Sequence, residues 1–98
     1  MFTVRRTDIF IDWLNGLKDR RAAARIATRV LRMESGNFGD VRPVGEGVSE
    51  MRIDYGPGYR VYFIQPGRTI VLLLCGGDKS KQARDIARAK RLTKDHKE

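Results

Sequence analysis

The chain of 98 residues contains one cysteine, one histidine and three prolines, and only 8% of its residues are aromatic. A single cysteine cannot form an internal disulfide, and with one histidine it cannot build a zinc cluster. The histidine, His96, lies near the end of the chain, which disfavours Ser-His-Asp and Cys-His nucleophile systems. No apolar run approaches the ~20 residues that span a bilayer, and the first residues lack the apolar segment of a signal peptide. We therefore expect a cytoplasmic protein that has no metal, no cofactor and no membrane contact.

Positive charge, in contrast, is abundant. Lys and Arg number 20 against 12 Asp and Glu, which gives a formal net charge of +8. Residues 1–40 hold eight basic and five acidic residues, residues 41–78 hold four of each, and residues 79–98 hold eight and three. Such an excess on a small protein favours a polyanionic or acidic partner. The length predicts a single domain over residues 1–98, with 92–98 as a frayed basic tail.

Two amphipathic helices are predicted in the N-terminal part. Residues 2–7 alternate as in a short strand, and Thr7 or Asp8 is a suitable N-cap for the helix that follows. Phe10, Trp13, Leu14 and Leu17 share one face of that helix. A second helical pattern covers residues 20–34 and ends at Ser35-Gly36-Asn37, so we expect a helical hairpin. The apolar face of the second helix consists of Ala23, Ile26, Ala27, Val30 and Met33.

A β-hairpin is predicted from residues 48–55 and 59–65, separated by the turn Gly56-Pro57-Gly58. A three-residue turn pairs Met51 with Phe63 and Ile53 with Val61 on one face of the hairpin, which is apolar. The other, polar face then pairs Arg52 with Tyr62 and Asp54 with Arg60.

The apolar run Ile70–Cys75 predicts a central strand that is covered on both faces and ends at Gly76-Gly77. Asp78 or Ser80 is a suitable cap for a final helix over roughly Lys81–Leu92. The predicted fold is therefore α+β: an N-terminal helical hairpin packed on a mostly antiparallel twisted sheet, followed by a C-terminal helix.

The polar face of the hairpin has two interpretations. It is either the solvated side of a sheet, or a site where guanidinium groups bind phosphate beside the glycine-rich end of the central strand. Lys79, which follows Gly76-Gly77-Asp78, lies near enough to that end to touch a phosphate, although the segment lacks the spacing of a nucleotide-binding P-loop. The residues of the polar face are Glu50, Arg52, Asp54, Arg60 and Tyr62.

Two basic stripes, each within an arc of roughly 80°, follow the second and the final helix. They are either solvated helix faces or a surface that attracts nucleic acid or an acidic protein segment without reading sequence. The first stripe consists of Arg21, Arg25, Arg29 and Arg32, and the second of Lys81, Arg84, Arg88 and Arg91.

Several segments resemble the RelE/ParE toxin superfamily, most closely its HigB-like "addiction module killer protein" branch. They include Gly58-Tyr59-Arg60-Val61-Tyr62-Phe63 and Leu72-Leu73-Leu74-Cys75-Gly76-Gly77-Asp78-Lys79, followed by Gln82 and Asp85-Ile86. The likeness extends over roughly residues 2–89 in the expected order. It implies a cytoplasmic bacterial toxin with a RelE/ParE-like fold. The implied partner is a cognate antitoxin, a small DNA-binding helix-turn-helix protein.

RelE-like members of the superfamily are metal-independent endoribonucleases that cut mRNA on the ribosome. The resemblance assigns Arg60 to the scissile phosphate, with Arg52 beside it and Lys79 as phosphate clamp or proton donor. Glu50 and Tyr62 are further candidates, as the general base and as an orienting group. The basic stripes predict RNA contacts at Lys81, Arg84, Arg88, Arg21, Arg25 and Arg29.

The favoured hypothesis is thus a type II toxin that inhibits translation by cleaving mRNA through the RNA 2′-OH. RNA carries this nucleophile itself, so the chemistry requires neither a metal nor a protein nucleophile. The alternative is a ParE-like toxin that binds and poisons DNA gyrase without cleaving RNA. A third possibility is a basic protein that only docks on RNA or DNA.

Overall fold

A computed structural model describes residues 1–96. The five strands form one sheet in the order β1-β5-β4-β3-β2, in which only the β1–β5 pair is parallel. The predicted α+β architecture with a mostly antiparallel sheet is therefore confirmed. The elements are β1 (Thr3–Arg6), α1 (Asp8–Asn15), α2 (Arg20–Glu34), β2 (Val41–Gly45), β3 (Val48–Ile53), β4 (Tyr59–Gly67), β5 (Ile70–Asp78), a 3₁₀ turn (Lys79–Lys81) and α3 (Gln82–Asp95).

The helices cover both faces of the sheet. Helices α1 and α2 share one core with the apolar face of the β3–β4 hairpin, α1 packing mainly on β5 and α2 on β1 and β3. Helix α3 packs on the opposite face, where Tyr62, Leu74 and Cys75 form a second core with Ala89. Strand β5 is buried on both faces, as its unbroken apolar run predicted. No helix within residues 1–96 has the length and apolar character to cross a lipid bilayer.

Both N-terminal helices begin after a side-chain N-cap: Thr7, which was predicted, and Asp19, which was not. Oγ1 of Thr7 accepts a hydrogen bond from the Phe10 N–H (3.1 Å). The Asp19 carboxylate accepts hydrogen bonds from the N–H groups of Arg21 and Ala22, in the first turn of α2. Helix α2 ends before Gly36, whose φ of +88° lies in the left-handed region. The apolar face of α2 differs from the prediction at one position: Ala27 is exposed and Ala22 is buried in its place.

Thr7 also joins α1 to the sheet, because its hydroxyl donates to the carbonyl of Leu74 (2.9 Å). Replacing Thr7 by valine keeps the shape and removes both hydrogen bonds, so we expect the free energy of unfolding to fall by about 1–2 kcal/mol. Urea unfolding followed by circular dichroism measures the change. The matched variant Thr28→Val, at an exposed site on α2, is expected to change stability by less than about 0.5 kcal/mol. Equal effects of the two variants would contradict this role of Thr7.

The predicted register of the β3–β4 hairpin is wrong by two residues. The chain pairs Met51 with Val61 and Arg52 with Arg60, because the turn comprises five residues, 54–58, rather than three. Gly56 (φ +57°) and Gly58 (φ +83°) both adopt left-handed conformations that permit this longer turn. The shift of two residues preserves which face is apolar, but the predicted Asp54–Arg60 pair does not form.

Three further predictions need correction. Strand β2, which pairs with β3 at the sheet edge, was not predicted as a strand. Gly76 and Gly77 do not end β5, since both pair with β4 and the strand continues to Asp78. Helix α3 continues to Asp95 rather than ending at Leu92, so residues 92–95 of the predicted frayed tail are helical. Residues 97–98 of that tail lie outside the described residues.

Candidate active site

An open cleft of about 300 Å³ lies where the β3–β4 turn meets the end of β5. Three cationic side chains from different elements line it: Arg52 from β3, Arg60 from β4 and Lys79 from the 3₁₀ turn. The structure thus brings together the three cations that were predicted to bind the phosphate. Ile53, Gly58 and Tyr59 complete the wall of the cleft together with two carboxylates, those of Asp40 and Asp54.

Arg52 is held by a bidentate pair with Asp40. Nε and Nη2 of Arg52 donate to the two carboxylate oxygens, each at 3.1 Å, and the Arg52 N–H donates to the Asp40 carbonyl (2.9 Å). The Arg52 hydrogen bond holds the pKa of the Asp40 carboxyl below its usual range, and the same contact raises the pKa of Arg52. The guanidinium is therefore fixed at the rim of the cleft, and part of its charge is already neutralised.

The lowered pKa of Asp40 is directly testable. Arg52→Gln is expected to raise the Asp40 pKa toward its ordinary value, because the charged hydrogen-bond donor is lost. Any stability that this pair contributes is present above the unfolded-state pKa of Asp40 and is lost as the pH falls through the lower folded-state value. Carboxyl ¹³C NMR titration measures the shift. Arg68→Gln, at an exposed site outside the cleft, should leave the titration unchanged; an unaltered Asp40 titration in Arg52→Gln would refute the assignment.

Arg60 is fixed more tightly, and its side chain is only 10% exposed. Nη1 donates to the Gly58 carbonyl (2.7 Å), and Nε lies 3.5 Å from Oε2 of the buried Glu50. Nη2 makes no hydrogen bond within residues 1–96, and Nε, although it faces Glu50, has no hydrogen-bond acceptor among those residues either. A guanidinium that is held on two sides while a third nitrogen has no partner resembles a preorganised donor for an anion in the cleft.

Lys79 is exposed, and its ammonium makes no ion pair or hydrogen bond in the described part of the chain. The carboxylate of Asp78 orders the 3₁₀ turn by accepting from the N–H of Ser80 (2.9 Å). Asp78 was predicted to cap the final helix, but α3 begins after Lys81 without a side-chain cap, because the 3₁₀ turn intervenes. Lys79 is thus held by its backbone at the cleft while its side-chain charge remains available to a ligand.

Glu50 and Tyr62 are not brought into the cleft. Both are completely buried beneath α3, where Oε2 of Glu50 accepts from Nε2 of Gln82 (2.7 Å). Burial, together with the negative charge of Glu50, raises the pKa of the Tyr62 phenol far above its ordinary value. Of the two interpretations of the polar face, the solvated one is wrong at Glu50 and Tyr62, because the sequence pattern did not indicate that α3 covers this side of the sheet.

Sequence reasoning did not select Asp40 as a cleft residue, and it named Asp54 only as part of the polar face, without a role in catalysis. The error at Asp54 follows from the register, since the three-residue turn assigned it to a pair with Arg60. In the actual register Asp54 is exposed and forms no ion pair or side-chain hydrogen bond with any described residue. No group of three or more His, Cys, Asp and Glu side chains within residues 1–96 is arranged to hold a metal ion.

The two predicted basic stripes lie in different parts of the structure, and their residues differ in whether they are free to bind RNA. Arg29 is used internally, since it donates to the carbonyls of Arg52 (2.8 Å) and Phe38 (3.2 Å), and burial lowers its pKa. Arg25 lies over the ring of Tyr55, 4.6 Å from its centroid, whereas Arg21 is exposed. Lys81, Arg84 and Arg88 line a separate groove between α1 and α3.

Comparison with known proteins identifies a relative of nearly the same length. No protein-family model matches the chain. A protein of Haemophilus influenzae, described only as uncharacterized, is 48% identical over 92 residues, which cover 94% of this chain and 93% of that protein. The chain belongs to the family of that protein. The description of that relative assigns no activity.

The fold is also similar to a solved structure. A chain in the crystal structure of the toxin-antitoxin complex RelBE2 from Mycobacterium tuberculosis superposes with a TM-score of 0.64. The match covers 80% of this chain and 98% of that chain, at 22% identity. At this identity the similarity establishes the shared fold, which is the RelE-like architecture that the sequence motifs predicted.

Proposed function

We propose that the protein is the toxin of a bacterial type II toxin-antitoxin pair and a metal-independent endoribonuclease that cuts mRNA on the ribosome. The observation that carries the proposal is the cleft in which Arg52, Arg60 and Lys79 meet. Cations fixed around one space are what a phosphodiester needs when negative charge develops on it. The RelE-like fold and its occurrence in a toxin-antitoxin complex support the same assignment.

The reaction needs no nucleophile from the protein. The RNA 2′-oxygen attacks the adjacent phosphorus, so that the O2′–P bond forms while the bond from phosphorus to the 5′-oxygen breaks. The products are a 2′,3′-cyclic phosphate and a free 5′-hydroxyl. The protein must hold the phosphate, accept the 2′-hydroxyl proton and supply a proton to the leaving oxygen.

The cleft offers a group for each of these tasks. Nη2 of Arg60, which makes no hydrogen bond within residues 1–96, and the guanidinium of Arg52 are suited to hold the phosphate oxygens. Asp54 is an exposed carboxylate that forms no ion pair with any described residue, and it replaces the buried Glu50 as candidate acceptor of the 2′-hydroxyl proton. The ammonium of Lys79, which is unpaired in the part of the chain that the structure describes, is the candidate donor to the leaving oxygen.

The proposed antitoxin is a small DNA-binding protein with an acidic toxin-binding segment. The net charge of +8 and the exposed arginines of α2 favour association with such a segment. Because long-range attraction between charges is screened by salt, the association rate is expected to fall as ionic strength rises.

The proposal is tested by inducing the protein without its antitoxin and mapping the 5′ ends of cellular mRNA. Discrete new 5′-hydroxyl ends within translated frames are the expected result. Intact mRNA together with accumulating DNA breaks would overturn the proposal in favour of gyrase poisoning. Unchanged RNA and DNA together with unimpaired growth would overturn the toxin assignment itself.

A further inference from the structure

A second groove, of about 180 Å³, adjoins the proposed catalytic cleft. It lies between α1 and α3, and Tyr59 lines both spaces. Strand β1 pairs with β5 only as far as Leu73. On the side of β5 that faces away from β4, no strand within residues 1–96 therefore pairs with the residues from Cys75 onward. The groove therefore follows an open sheet edge that begins beside the cleft.

Two glycines allow side chains to close on this edge from both faces of the sheet. A Cβ atom at Gly76 would collide with the Trp13 ring, and one at Gly77 would collide with the Asp85 carboxylate. Successive residues of a strand face opposite sides. Trp13 of α1 and Asp85 of α3 therefore approach neighbouring residues of β5 from opposite faces, and both line the groove.

Asp85 is the unusual member of the groove. The residue is 2% exposed, yet Oδ2 has no hydrogen-bond partner within residues 1–96. Oδ1 lies 3.5 Å from Nη2 of Arg84, which is an exposed side chain. A buried carboxylate oxygen without a donor is costly and rare in folded proteins, and a ligand that brings the missing donor would remove the cost.

The groove is also lined by aromatic side chains that lie next to cations. Trp13 and Tyr59 are half-buried and meet edge to face, with ring centroids 6.3 Å apart. Lys81 and Arg88 line the same groove. Aromatic side chains next to cations are the combination with which proteins bind single-stranded nucleic acid.

We propose that this groove is a base-specific subsite that binds one nucleobase of the RNA strand passing through the cleft, with Trp13 and Tyr59 contacting the ring and Asp85 accepting from an exocyclic amino group. The inference rests on the proposed function, because it takes the strand in the cleft to be RNA. A volume of about 180 Å³ is below the ~300–1,000 Å³ of pockets for drug-sized ligands. It suits a single base whose phosphates remain outside, near Lys81 and Arg88.

The chemistry of Asp85 determines which bases fit. An ionised carboxylate only accepts hydrogen bonds, and it pairs with bases that present an amino group, such as cytosine and adenine. Uracil carries carbonyl oxygens where those bases carry the amino group, so it would place an acceptor against an acceptor. The subsite should therefore discriminate against uracil.

The test uses Trp13 as the reporter, because it is the only tryptophan in the chain. The full chain is titrated with 2′-O-methyl oligocytidine, oligoadenosine and oligouridine of equal length, which lack the nucleophile and cannot be cut. We expect cytidine and adenosine oligomers to quench Trp13 fluorescence and to bind about 10-fold more tightly than the uridine oligomer. Asp85→Asn, whose amide both donates and accepts, should reduce that preference to about 2-fold or less.

The control variant is Asp12→Asn, which removes the same charge from an exposed position of α1 outside the groove. It should retain the full base preference. Equal affinity of the unmodified protein for the three oligomers would overturn the inference, whether or not Asp85→Asn folds. A preference that persists in correctly folded Asp85→Asn would also overturn it.

The outcome is separable from the proposed function. Binding of uncleavable oligomers does not depend on catalysis, so a base preference without RNA cleavage would contradict only the endoribonuclease assignment. Cleavage of cellular mRNA together with equal affinities for the three oligomers would contradict only the proposed base subsite.

Discussion

Replacing Lys79 by alanine is expected to lower the rate of RNA cleavage by about 100-fold or more, while the fold stays intact. Its ammonium is the one cation of the cleft that makes no contact with another described residue. The substitution therefore removes charge from the reaction without breaking a structural contact. Loss of one preorganised donor to developing charge costs about 10²–10³ in rate in comparable sites. Single-turnover cleavage of mRNA on purified ribosomes measures the effect, and circular dichroism verifies the fold.

Lys18→Ala is the matched control, since Lys18 is equally exposed and lies outside the cleft. It should cleave at the rate of the unmodified protein, and both variants should still bind the antitoxin. Lys79→Arg separates the two roles that remain open for this residue. If Lys79 donates a proton, the arginine variant should be nearly as slow as alanine, because a guanidinium is a poor proton donor. Full cleavage activity of Lys79→Ala would show that the Lys79 side chain takes no part in the reaction.

Glu50→Ala is expected to lower the free energy of unfolding by about 3–5 kcal/mol. Glu50 is completely buried. Its Oε2 accepts a hydrogen bond from the side-chain amide of Gln82 and lies 3.5 Å from Nε of Arg60. Alanine would leave the largely buried guanidinium of Arg60 without its counter-charge and the amide of Gln82 without its acceptor. Urea unfolding followed by circular dichroism gives the change.

A second variant distinguishes the lost charge partner from a simple cavity. In Glu50→Ala/Arg60→Met the unpaired charge is absent, so the double variant should be more stable than the sum of the two single effects predicts. Asp12→Ala, at an exposed position of α1, should change stability by less than about 0.5 kcal/mol. Additive single effects would show that Glu50 and Arg60 do not stabilise each other.

The helices and the apolar strands could be predicted from the sequence because each depends on local information. Thr7 and Gly36 mark helix ends through hydrogen bonding and backbone conformation that involve only nearby residues. The identity of the three cleft cations was accessible for a similar reason. Their motifs give the residue types, and a register error of an even number of residues leaves each side chain on its own face.

The remainder depends on contacts between residues distant in sequence. Nothing near Glu50 or Tyr62 indicates that α3, some twenty to thirty residues later, buries them. Gly76 and Gly77 have the composition of a turn, and only the positions of Trp13 and Asp85 explain why glycines lie inside a strand. Asp54 was misassigned because the turn length depends on two left-handed glycines that a sequence pattern does not reveal.

The parallel pairing of β1 with β5 has a consequence for synthesis of the chain. Residues 3–6 find their partners only at residues 70–73, so this parallel pair of strands cannot form before residue 73 has been synthesised. The cleft also requires Lys79, which emerges later still. A nascent chain halted before that point holds neither the finished sheet nor the assembled cations, so we expect it to lack the candidate site.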